Sequence, residues 1–259
     1  SSGAIVLANV DGCTIAGCTI AQSGVGIGLA GSSFNTLDGN TISGCIVGIG
    51  MDNLAAFGGP LADGSTDNTI SDCVVTGNVR LGIYIAENCH RTLVKDTTSS
   101  TNGENGIYLW KSSGNTISGC ALSANGQYGL ELMASQNNTV TQNTLTGNGR
   151  GIQVRSGYFV DSTGNAFHHN DLSGNTTFGM SADQNDGNVV DAEHNWWGAA
   201  SGPGPVGPGA GLGVSTYVDY SPWWADATMS EEASEGAGGE IVVPGGTGQS
   251  VTQAILDSA

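Results

Sequence analysis

Tyr84, Tyr108, Trp110, Glu131, Arg155 and Asp183 are the side chains whose types and spacing fit the chemistry of a sugar-binding groove. Aromatic rings stack on the apolar faces of pyranoses, and carboxylates hold hydroxyls or serve as acid and base. Read as outward positions on successive strands, they fall in two adjacent rows. One row runs Gly50, Tyr84, Tyr108, Glu131, Gln153, Ser181, and the other Asp52, Ala86, Trp110, Met133, Arg155, Asp183. A solvated strand face with aromatic cross-strand pairs gives the same rows, so both readings stay open. Lys95 and Lys111 are the only lysines, and Arg155 is the one arginine this reading puts near the patch. A lyase, which needs a strong base and clustered cations, is therefore poorly supplied. His169 and His194 form a second constellation, with Asp171 and Glu193 close by, whose spacing suits a copper or zinc ligand pair. Ordinary strand histidines are the alternative, and no cofactor is expected; Ca or Cu are the ions such residues could take.

What must position these side chains is a repeat. The stretch from Gly106 to Gly126, GIYLWKSSGNTISGCALSANG, holds three short runs separated by polar turns, and period-two alternation in runs this short indicates strands. Its apolar pair Ile107/Leu109 returns as Ile5/Leu7, Ile27/Leu29, Ile49/Met51, Ile83/Ile85, Leu130/Leu132, Ile152/Val154 and Met180/Ala182, at spacings of 22, 22, 34, 24, 23, 22 and 28 residues. A period near 22 marks a solenoid whose units bury their apolar faces against one another. The second run returns as Ile15, Leu37, Ile70, Leu93, Ile117, Val140, Phe167 and Val190. The third returns as Ile20, Ile42, Val75, Thr98, Leu122, Leu145, Leu172 and Trp197. Three inward columns predict a coil with three sides.

Leucine-rich repeats share the period but require leucine-rich consensus positions and helical returns, whereas these returns are Ser, Thr, Asn and Gly. Two polar columns stand out: Cys13, Asn35, Asn68, Arg91, Asn115, Asn138, Asn165, Asn188, and Cys18, Asn40, Cys73, Asp96, Cys120, Asn143, Asn170, Asn195. Asparagine tolerates left-handed turns, and its amide can bond its counterpart one coil away. The expected fold is an all-β, right-handed, three-sided parallel β-helix of about eight coils with asparagine ladders.

The chain has 259 residues, with 43 Gly, 6 Lys or Arg and 23 Asp or Glu, for a formal net charge of −17. So acidic a chain is a poor partner for nucleic acid or an anionic membrane, and no apolar run is long enough for membrane insertion. Of the 6 cysteines, Cys18, Cys73 and Cys120 share a column but sit in alternate coils, roughly 10 Å apart at the strand spacing, too far for a bridge. They read as buried thiols, with a Cys13–Cys18 link as the alternative. Two enlarged loops, residues 52 to 67 and 155 to 164, leave one corner of the prism and rise beside the same side.

After the eighth coil the rhythm stops, and the residues begin to resemble a family. NTISGN-like coils followed by NWWG (195–198), SGP (201–203) and YVDYSPWW (217–224) look like the carbohydrate-binding and sugar-hydrolase class of β-helix repeats. That class includes periplasmic copper-handling β-helix proteins and many surface proteins. The resemblance covers residues 4 to 224 and implies a right-handed β-helix and an exported location; no catalytic motif of its enzymes is matched residue by residue. Trp196, Trp197, Trp223 and Trp224 are expected to cap the C-terminal end of residues 1–224.

Residues 225–241 read as an acidic Gly-rich linker, and 242–259 as a strand-plus-helix tail resembling the cap that opens such proteins. Ile241, Val242, Val243, Val251, Ile255 and Leu256 would form its apolar face. The first rung, with Ile5, Leu7, Ile15 and Ile20, would accept that face from another copy. The sequence-level expectation is thus an extracellular or cell-surface structural subunit joining copies of itself head to tail. The alternative is a polysaccharide-binding protein, or a polysaccharide lyase, hydrolase or epimerase, using the aromatic and acidic face.

Overall fold

A computed structural model describes residues 3–52, 64–157 and 159–233. These segments wind into a right-handed, three-sided parallel β-helix. Its first sheet has ten strands, among them Gly3–Ala8, Val25–Ala30, Val47–Asp52, Leu81–Ala86, Ile107–Trp110, Tyr128–Met133, Arg150–Arg155 and Phe178–Gln184, stacked in chain order. The second sheet has nine strands of two or three residues, from Thr14–Ala16 to Val218–Asp219. The third has four strands, from Thr19–Ala21 to Thr98–Ser100, and single bridges through Ala121, Thr144, Asp171 and Trp196 carry it onward. The right-handed winding agrees with the strong preference of parallel crossovers.

Inside the prism the three apolar columns make one continuous core. Ile27, Ile49, Ile83, Ile107, Leu130 and Ile152 stack on the first sheet, and each is fully buried. Ile5 and Leu7, at the end rung, are only half-buried against it. Ile15 and Ile20 are 9% and 7% exposed. The expected tail residues Ile241, Val242, Val243, Val251, Ile255 and Leu256 lie outside the described residues. No described contact bears on end-to-end assembly.

In the coil that follows Ile85, the turn Glu87–Cys89 holds one residue more than its neighbours. Glu87 and Asn88 absorb it in left-handed conformations, with φ of 42° and 67°. Every later position in that coil shifts by one. Val94, not Leu93, is inside, paired with Ile117, and Ser99, not Thr98, pairs with Val75. Thr92 and Thr97 replace Arg91 and Asp96 in the ladders: Thr92 N–H donates to Asn115 at 2.9 Å, and Cys73 N–H to the Thr97 hydroxyl at 3.2 Å.

Four polar ladders, not two, hold the corners. The third runs Asn78, Asn102, Asn125, Asn148, Asn175, each backbone N–H donating to the next amide oxygen at 3.0 to 3.1 Å or closer. The fourth uses small side chains, with Ser112 N–H bonded to Ser135 Oγ and Ser135 N–H to Ser162 Oγ. The cysteines are all free. Burial pushes the Cys120 and Cys89 thiols up to about 11 and about 12.

The rhythm does not stop with the eighth coil. Gly213–Val214 and Val218–Asp219 extend the first and second sheets by one more rung. Val214, Val218, Tyr220 and Trp223 close the core from that end, with Trp197 fully buried beneath. Trp223 also donates from Nε1 to the Ala200 carbonyl at 3.0 Å. An antiparallel pair, Trp223–Trp224 with Glu232–Ala233, completes the cap.

Candidate functional site

The outer face of the first sheet carries the expected rows. Its register aligns Gly50, Tyr84, Tyr108, Glu131, Gln153 and Ser181 on consecutive strands. The adjacent row aligns Ala86, Trp110, Met133 and Arg155. It does not continue to Asp183: an irregularity after Gln153 puts Gln184 opposite Arg155, so Asp183 is exposed but leaves the row. The longer strand Phe178–Gln184, seven residues against six, takes up that shift.

Tyr84 and Tyr108 stack with centroids 5.5 Å apart and planes tilted by 33°. Burial, then the nearby Asp52 charge, pushes the Tyr84 hydroxyl pKa well above its ordinary value, so Tyr84 stays a neutral platform. Tyr108 donates its hydroxyl to Met133 Sδ at 3.3 Å. Trp110 lies under the Lys111 ammonium, 4.7 Å from the ring centre, and that ammonium meets Glu87 Oε1 at 3.3 Å.

Beside the rings sits a buried polar cluster. Glu131 is 3% exposed on an outward position. Its Oε1 faces the Arg155 guanidinium, and its Oε2 accepts from Asn105 Nδ2 at 2.6 Å. Burial raises the Glu131 pKa, with Arg155 and Asn105 opposing. Asn105 Oδ1 and Arg155 Nε, both buried, have no hydrogen-bond partner among the described residues. Buried polar atoms left this way are costly, and both are closed to solvent, so the surface open to a ligand here is that of the neighbouring rings and of the Arg155 side chain, which is 33% exposed. Glu131 itself is enclosed and engaged on both oxygens, so it can orient a neighbour but is poorly placed to take a proton from a polymer.

Sequence spacing missed Arg150. It has the parity of inward Ile152, but alternation breaks at Gly151, where an added Cβ would point inward onto the Gly179 carbonyl at 2.5 Å and Asn175 Nδ2 at 2.8 Å. Arg150 therefore turns outward, where Nη1 bonds Gln153 Oε1 and lies 3.5 Å from Ser181 Oγ. The patch thus holds two arginines, Arg150 and Arg155, not Arg155 alone. A glycine flanked by a charge at a strand start was the signal for it.

Three of the four histidines, His168, His169 and His194, cluster at the far end. His169 and His194 stack with planes 8° apart and centroids separated by 5.9 Å, and His168 lies 6.3 Å from His194. His168 Nε2 meets Asp191 Oδ1 at 2.6 Å, and His194 Nε2 meets Glu232 Oε1 at 2.7 Å. Burial first, then His194 and His168, lowers the His169 pKa.

A family model described as "Periplasmic copper-binding protein (NosD)" matches residues 4–198. Among solved structures, the chain is similar to the periplasmic alginate epimerase AlgG, at 22% identity and TM-score 0.57, covering 79% of this chain and 50% of that one. It is similar to the A-module of the Azotobacter vinelandii mannuronan C-5 epimerase AlgE4, at 14% and 0.58, covering 84% and 56%. The pectate lyase Pel9A gives 14% and 0.50, covering 78% and 56%. This chain thus spans about half the length of those structures, and at such identities the likeness establishes the fold. No curated protein sequence matches the chain.

A copper ion, as in that family description, needs donor atoms that converge on one point. Two of the three histidines already face carboxylates. Among the described residues no three His, Cys, Asp or Glu side chains gather in a way that could hold a metal. The described residues do not fit a copper centre.

Proposed function

The chain belongs to the periplasmic copper-binding protein (NosD) family, and we propose on that premise that it is an exported protein that binds polysaccharide along the outer face of its first sheet. The observation that carries this reading is the run of half-exposed rings Tyr84, Tyr108 and Trp110 along adjacent strands, the first two with centroids 5.5 Å apart, leading to the Arg155 side chain, which is 33% exposed. Rings one strand apart, 5.5 Å between centroids, offer successive sugar platforms, and the part-exposed Arg155 guanidinium offers N–H donors to hydroxyls beside them. Binding is favoured over turnover because Glu131, the more deeply buried of the face's two buried carboxylates, is already paired with Arg155. The solved epimerases and lyase share the scaffold, and their polysaccharide substrates lend this reading plausibility by analogy of fold. Among the described residues no helix is long and apolar enough to cross a membrane.

The test is titration calorimetry against a panel of neutral and acidic oligosaccharides, with Tyr108→Ala and Trp110→Ala beside the parent chain. Both side chains are half-exposed, so their removal should leave thermal unfolding nearly unchanged and weaken binding about tenfold, the scale of one lost aromatic platform. Binding to no oligosaccharide, or binding unaffected by either change, would refute the proposal.

A further inference from the structure

We infer that Arg150 is a receptor for the carboxylate of an acidic sugar, so that the polysaccharide bound on this face is a uronate-bearing one. The inference rests on the glycan-binding reading above and names its ligand class. The chain has 6 Lys or Arg. Arg80, Arg91, Lys95, Lys111 and Arg155 face Glu104, Asp67, Asp96, Glu87 and Glu131. That leaves Arg150 as the cation without an acidic partner among the described residues. In a chain with 23 Asp or Glu, partners are abundant, and a guanidinium kept clear of every described one is suited to receive an external carboxylate.

Its surroundings hold it ready. Gln153 is 1% exposed and is itself fixed, its Nε2 donating to the Val154 and Ser181 carbonyls at 3.1 and 3.3 Å. That orientation turns Gln153 Oε1 onto Arg150 Nη1. Arginine carries five N–H donors in a planar fork, so one bond to Gln153 pins the group and leaves donors for a bidentate carboxylate. The guanidinium also stacks over Phe178 at 5.3 Å. In strand register Arg150 is flanked by Tyr128 on one side and Phe178 on the other, and all three are half-exposed. An aromatic, a cation and an aromatic on adjacent strands match a sugar ring that stacks while its carboxylate reaches the fork. Arg155, five residues on, is neutralised by Glu131 and so leaves this role to Arg150.

The experiment measures binding of a short oligouronate, the same oligomer with its carboxyls methyl-esterified, and a sulfated neutral oligosaccharide, to the parent chain, Arg150→Gln and Arg150→Lys. The expected result is about tenfold or more preference for the acid over the ester in the parent chain. Arg150→Gln should lose that preference, its loss for the acid exceeding its loss for the ester by about tenfold. Arg150→Lys, a point charge without the fork, should fall between. Equal binding of acid and ester by the parent chain overturns the inference and leaves glycan binding standing. So does an equal loss of both ligands in Arg150→Gln, or tighter binding of the sulfated oligosaccharide. No binding of any of the three overturns both readings.

Discussion

Replacing Arg155 by leucine isolates the electrostatics of the candidate site. In the parent chain Glu131 is 3% exposed, with Arg155 at one oxygen and Asn105 at the other. Without Arg155 the carboxylate keeps one neutral donor and loses its counter-charge. Breaking a fully buried pair costs about 3–5 kcal/mol. The Arg155 side chain is 33% exposed, so water screens part of the attraction, and the expected loss at neutral pH is ~2 kcal/mol. The loss carries a pH signature. Burial already raises the folded Glu131 pKa above its ordinary 4.5, so the fold binds this proton more readily than the unfolded chain, and ionising Glu131 costs stability as pH rises. Arg155→Leu raises the folded value further. The difference between variant and parent should therefore be near zero well below pH 4.5, where Glu131 is protonated in both, and should grow as pH rises until both folded proteins are ionised. Urea unfolding across that range measures it, and adding Glu131→Gln to Arg155→Leu should flatten the profile. A deficit independent of pH, or one that the second change leaves intact, would refute the assignment of the buried charge.

Two further outcomes follow from the ladders and the histidines. Asn125→Ala removes an oxygen that accepts from Asn102 N and Asn102 Nδ2 at 3.0 Å, and an amide that donates to the Ser99 carbonyl at 3.1 Å. With the Asn102 N–H left buried and unpaired, urea unfolding should show a loss of about 2–3 kcal/mol; a loss under about 0.5 kcal/mol, the scale of an ordinary surface change, would show that the third ladder is ornamental. His169 has its pKa lowered below the ordinary 6.5 by burial, His194 and His168, so the fold resists its protonation and loses stability as pH falls through that value. His169→Asn, which keeps a side chain suited to its φ of 58°, should remove part of the acid-side loss in a melting-temperature profile, and an unchanged profile would count against the clustered-histidine account.

The sequence by itself determined the winding. A 22-residue period with alternating apolar positions can bury its faces only by stacking coil on coil, and the asparagine columns at Asn35, Asn68, Asn115 and Asn138 are legible because each corner needs the same amide in the same place. The third ladder was legible on the same footing, five residues beyond the second at Asn125, Asn148 and Asn175. The pairing of Tyr84 with Tyr108 and of Glu131 with Gln153 also follows from the period, since parallel register copies spacing into contact.

Tertiary structure decided what period cannot encode. One extra residue after Ile85 is silent in composition, yet it exchanged Leu93 for Val94 in the core, because a strand shifted by one presents its opposite face. A break in alternation at Gly151 left Arg150, despite its inward parity, on the outer surface, and an irregularity after Gln153 moved Asp183 out of the row it was expected to join. The closeness of Arg155 to Glu131, and the distance of Arg150 from every carboxylate among the described residues, depend on side chains meeting across strands. Charge pairing is a property of three-dimensional neighbours, so the chemistry of the face became readable only once the coils were stacked.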